Sequence, residues 1–174
     1  MIVVHGTRAF RGRVPGPAVA PGERSTTVLG AWYATVLRWR RPAALLVNEL
    51  TLLPLVMPLA PARTLLHRLP DALAGVLSAH RVPAQLVEAE RAEALEHRLA
   101  ATADRSLVGV LNEFAYLADL YRAENLDLVR LSMRLATTPC GPLLGGTSAD
   151  RELAALIAGL RDAGQPGSPP ASAP

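Results

Sequence analysis

The chain has 174 residues, half of them apolar, enough to bury one ordinary core and too few for several. Its formal net charge is +3, and all 18 basic residues are arginine, a bias that looks like a high-GC bacterial genome and weakens arginine count as a sign of phosphate binding. Four arginines (Arg8, Arg11, Arg13, Arg24) stand against Glu23 in residues 1–24, while 14 arginines balance 14 acids in residues 25–174, so the body is neutral and lacks the broad basic footprint of nonspecific DNA binding.

In chain order, "MIVVH" within residues 1–10 reads as an edge strand, its β-branched residues favouring extension. Residues 11–25, "RGRVPGPAVAPGERS", are rich in proline and glycine without an apolar period and are expected to be flexible. "AWYATVLRW" and "AALLVNE" flank "RRP" and predict a β-hairpin, with Trp32 and Tyr33 on opposite faces, one in the core and the other free to flank a site. Asn48 and Glu49 then stand at the end of a strand, followed by Thr51. The apolar stretch from Ala43 to Ala60 is broken by Asn48, Glu49, Pro54 and Pro58 within less than the roughly 20 residues of a membrane span, so no membrane association is expected.

Residues 63–80 suit a short helical turn and then a helix with Pro70 at an early position, where its missing N–H costs little. "VPAQLVEAE" reads as a further strand, and "ERAEALEHRL" as helix by propensity in competition with a strand around "HRLAAT". From Ser106, Leu107, Leu111, Phe114 and Tyr121 recur at helical spacing and predict a firm helix. Asn125 is the expected N-cap of "LDLVRLSMRLA" and Ser148 that of "ADRELAALIAGLRD", which ends near Gly164. The sum is one α+β domain over residues 26–162, a small early sheet packed by C-terminal helices, with residues 163–174 a disordered tail.

Chemistry is sparse. Cys140 is the only cysteine, which fits a reducing cytosol and a cytoplasmic protein, and nothing in the sequence sets a histidine beside it. His67, His80 and His97 lack metal-ligand spacing, and Glu93 with His97 reads as a solvated helical pair, so no metal and no cofactor is implied. The richer signal is in "DRSLVGVLNE". Arg105, Gly109, Asn112 and Tyr116 fall on one helical stripe, distinct from the Leu107, Leu111, Phe114 stripe. Glycine there is tolerable where another backbone or a ligand must come close, and Arg105 would offer a forked donor to a carboxylate or phosphate.

The pieces "LGAWYATVL" (29–37), "LLVNELTLL" (45–53), "RSLVGVLNEFAY" (105–116) and, more weakly, "MRLATTP" (133–139) resemble a bacterial family, domain of unknown function 6933. Trp32, Asn48, Thr51, Arg105, Ser106, Gly109 and Asn112 match its pattern; Val47 and Ala136 depart from it, as does "RAFRGRVPGP" where the family has a lysine-rich helix. The resemblance implies no activity.

The resulting expectation is a non-catalytic binding or regulatory module whose surface comprises Asn48, Glu49, Thr51, Arg105, Ser106 and Asn112, supported by Trp32, Gly109 and Tyr116. Its partner would be a protein or a small acidic ligand. The alternative is a hydrolase or nucleic-acid-processing enzyme with Glu49 as base and Arg105 stabilising charge. Nucleic acid binding without catalysis would rest on the basic N-terminal segment alone.

Overall fold

The computed structural model describes residues 1–139 and 146–164, the side chains of residues 162–164 apart; Cys140 lies outside the described residues. A five-stranded mixed sheet forms the centre: β1 (Ile2–Gly6), β2 (Trp32–Leu37), β3 (Ala43–Asn48), β4 (Pro54–Pro58) and β5 (His97–Ala101), in the spatial order β4-β3-β2-β1-β5. Around it stand α1 (Arg8–Arg11), α2 (Leu65–Ala79), α3 (Ala84–Glu93), α4 (Arg105–Tyr121), α5 (Leu128–Ala136) and α6 (Ala149–Gly164). The arrangement is α+β in a single domain, as expected.

The hairpin forms where the two apolar runs place it, with β2 and β3 antiparallel from Trp32 opposite Asn48 to Leu37 opposite Ala43. β4 follows β3 as a second hairpin that was not read from the apolar stretch between Ala43 and Ala60, and prolines begin and end it, as suits an edge strand. That edge is covered. The Ser132 hydroxyl of α5 accepts the Val56 N–H at 2.8 Å and donates to Leu128 O, so a helix side chain takes the place of a strand partner.

The strand read as an edge is interior. β1 pairs in parallel with β2 on one side and β5 on the other, and Ile2 and Val4 are fully buried. Its partners lie far along the chain, which local pattern does not report. Residues 11–25, expected to be flexible, pack along the outer edge of β5: Val14 is fully buried, the Val19 N–H donates to Leu99 O, and the Leu99 N–H donates to Pro17 O at 2.7 Å. Glu23 pairs with Arg98 of β5.

Four local expectations change. "VPAQLVEAE" is helix α3, its buried Val87 and Glu90 spaced i, i+3. Pro70 is the sixth residue of one continuous α2, which follows a short turn at Ala62–Thr64. Asp127 caps α5 by accepting the Arg130 N–H, while Asn125 sits in the left-handed region at φ 52°. Glu93 ends α3 and His97 opens β5, so they share no helix. Ser148 directly precedes α6, and its hydroxyl hydrogen-bonds the Asp150 carboxylate.

Register separates the two sheet faces. Val4 pairs with Trp32 and Ile2 with His97, so these four point one way; the His97 ring meets His67 of α2 edge-on, which puts α2 on that side. His5 pairs with Tyr33 and both point the other way, where Tyr33 meets the backbone of Asp104 at the start of α4. α4 packs on β2 and β3. The same face of β1 is left to a cavity.

Candidate ligand-binding site

Asn48 ends β3 opposite Trp32 and Glu49 follows it, and both meet the loop that leads into β2. The Asn48 amide donates to Leu29 O at 2.6 Å and Ala31 O at 3.3 Å, and its oxygen accepts from the N–H groups of Leu50 and Thr51 and from the Thr51 hydroxyl. Fully buried, this side chain has no capacity left for a ligand. Thr51, also buried, completes its bonding by accepting the Leu53 N–H. Both leave the candidate site: they are a buried clamp on residues 27–31. Trp32 leaves it as well, being fully buried on the α2 side of the sheet.

Glu49 stays. Its Oε1 accepts the Ala31 N–H at 2.6 Å, its Oε2 has no hydrogen-bond partner among the described residues, and the side chain lines a cavity of about 430 Å³. Val3 and His5 of β1 form the cavity floor, residues 19–25 one wall, and Gly30 and Ala31 another. Gly30 has to be glycine on two counts. It holds φ at 73°, and a Cβ there would sit 2.6 Å from Glu49 Oε1.

The His5 imidazole stacks on Tyr33 with centroids 4.8 Å apart, and its Nδ1 lies 3.0 Å from Ala101 O. A carbonyl only accepts, so Nδ1 is the donor of that bond, and Nε2 has no hydrogen-bond partner among the described residues. Burial pushes the Tyr33 hydroxyl above its ordinary pKa, and the charges of Asp104 and Glu49 push it the same way, so it stays protonated. Glu23 on the wall is held below the usual carboxylate range, first by the Ala20 N–H and then by Arg98. Arg24, also on the wall, has no ion pair among the described residues.

The helical stripe is elsewhere. Arg105, Ser106, Gly109, Asn112 and Tyr116 are all exposed on α4. A Cβ on Gly109 would meet nothing within 4 Å, so no backbone approaches it in the monomer. Arg105 follows Asp104, which caps α4 through Ser106 N and Leu107 N and also touches Tyr33. None of these helix residues lines the cavity, and Asn112 and Tyr116 lie two and three turns beyond Arg105.

Sequence reasoning missed His5, Arg24 and Glu90. His5 carried a signal: it is a titratable residue in the alternate register of an apolar strand, so it faces away from Ile2 and Val4. Glu90 of α3 is 1% exposed, and its Oε1 accepts the Val28 N–H at 2.6 Å and the Leu29 N–H at 3.3 Å. Burial raises its pKa, and the clamp on residues 27–31 thus has a second jaw. Glu93 instead holds the Met1 amine and the Thr26 hydroxyl, bonds that lower its pKa. No group of three or more His, Cys, Asp or Glu placed to hold a metal is present among the described residues. No helix there is long and apolar enough to cross a membrane.

The molecule is thus a single α+β domain with a cavity on the sheet face beside α4. Residues 3–150 match the family model described as domain of unknown function (DUF6933), and the chain belongs to that family. No curated protein and no solved structure matches it.

Proposed function

We propose that the chain is a non-catalytic binding module whose ligand occupies the cavity over β1, bounded by Glu49, His5 and Arg24. The carrying observation is that Glu49 and His5 are each fixed by one hydrogen bond, to Ala31 N–H and Ala101 O, while Glu49 Oε2 and His5 Nε2 keep unused bonding capacity. Pre-positioned groups of this kind bind without losing much side-chain freedom. The volume falls within the roughly 300–1,000 Å³ of small-molecule sites, which favours a small ligand over a protein surface. Arg24 on the wall favours an acidic group on it.

The test is native mass spectrometry of the full chain purified at low salt, with His5→Ala and Arg24→Ala alongside. A bound small acid, lost from both variants at unchanged melting temperature, supports the reading. An unliganded chain, or an adduct retained by both variants, counts against it.

The hydrolase reading draws support from one feature, Glu49 Oε2 and His5 Nε2 lining one cavity. Turnover of ester or phosphoester substrates that Glu49→Gln abolishes would favour it over pure binding.

A further inference from the structure

A second crevice, of about 210 Å³, opens between the C-terminal end of α2 and α6. Val82, Leu153 and Ile157 contribute apolar surface to it, and His80, Arg81 and Arg161 are its basic groups. Asp150 also lines it, but its Oδ1 is engaged by the Ser148 hydroxyl and the Arg151 N–H at the start of α6. Two arginines therefore line the crevice against one carboxylate that is already bonded, and neither arginine has an ion pair among the described residues.

Two details mark this end of α2. His80 Nε2 is buried with no hydrogen-bond partner, a condition that protein interiors rarely leave standing. Arg81 occupies the residue after the α2 cap at φ 59°, and the next N–H, of Val82, returns to Leu77 O. This is the helix-ending turn in which glycine is the unstrained choice. The chain instead carries an arginine there, against its conformational preference, and that arginine lines the crevice.

We propose that this crevice is a ligand site for a small monocarboxylate with an apolar body, the carboxylate held by Arg81 and Arg161 and the body against Val82, Leu153 and Ile157. The net lining charge of +1 matches a monoanion better than a phosphate dianion. The volume equals about seven water molecules, which sets the ligand near the size of benzoate. Because the family match ends at residue 150, Leu153, Ile157 and Arg161 belong to the part of the chain outside it, and the site is independent of the cavity over β1.

The experiment is a titration of the isotope-labelled full chain with benzoate, read by backbone amide and imidazole resonances, with inorganic phosphate and benzyl alcohol as comparison probes. Saturable binding at about millimolar benzoate, with shifts at His80 and along α6, is expected. Arg81→Gly and Arg161→Ala should each weaken it about tenfold, the scale of one charge-assisted hydrogen bond. Arg81→Gly suits the purpose because it relieves the left-handed backbone and so leaves the fold intact. Equal affinity in the wild type and both variants, or shifts confined to other regions, would overturn the proposal. Phosphate binding as tight as benzoate would overturn the monocarboxylate assignment.

Discussion

Two stretches carried the polar residues that the sequence offered as one surface, and the fold treats them in opposite ways. Asn48 and Thr51 are sealed at the end of β3 with their hydrogen bonds used, while Arg105, Asn112 and Tyr116 stand on α4 with none to other described residues. Their spacing does not distinguish them. What does is the neighbour each meets: an entering loop with free carbonyls in the first case, solvent in the second. A polar residue at a strand end inside an apolar run is more informative about backbone groups needing partners than about a ligand.

The sharpest way to break this contrast is Asn48→Ala. It removes the partners of two carbonyls and two N–H groups in a dry region, each worth about 1–3 kcal/mol when left unsatisfied, so a loss of about 3–4 kcal/mol in urea unfolding is expected. Asn112→Ala, on the exposed stripe, should stay within about 0.5 kcal/mol. Equal losses in the two variants would erase the distinction.

Gly30→Ala comes next. The substitution would hold alanine in the left-handed region and press its Cβ on Glu49 Oε1, for a combined loss of about 2 kcal/mol. Since the same contact sets the orientation of Glu49, ligand retention in the β1 cavity should fall too. A variant that melts lower yet retains its ligand would detach Glu49 from the site.

The second jaw of the clamp can be read by pH. Burial raises the Glu90 pKa in the fold, so the stability this group contributes is fully present below its unfolded value of about 4.5 and is lost as pH rises through the folded value. Glu93 works in the other direction: its folded pKa is lowered, and its contribution is present above the unfolded value and lost as pH falls. The difference between the wild type and Glu90→Gln isolates the first. Urea midpoints taken from pH 4 upward should show the wild type losing ground to the variant; parallel curves would mean that Glu90 is not buried.

How much of this was legible depends on the range over which each feature is determined. The β2–β3 hairpin and α4 were readable because alternation and the Leu107, Leu111, Phe114 period are local. β1 was readable as a strand but not as an interior one, since β5 pairs with it from nearly a hundred residues away. Glu49 was identified from its place at a strand end, whereas His5 and Arg24 join it only because residues 19–25 fold back along the sheet. Glu90 was the least accessible, a carboxylate in a polar-looking helix whose burial follows from where Val28 and Leu29 pass.

The smallest effect bears on the question the stripe leaves open. A Cβ at Gly109 meets nothing, so Gly109→Ala should raise stability by about 1 kcal/mol, the helix-propensity difference between the two residues. A glycine at an exposed helix position therefore stands below the stability available to the chain, and the monomer supplies no packing reason for it. If another molecule's backbone lies against α4 at this point, the added methyl should abolish that association while the isolated chain melts higher, a combination visible by comparing analytical ultracentrifugation with thermal melts. A stabilised variant with unchanged association would leave the stripe an ordinary solvated face, and the cavity over β1 as the place to look for function.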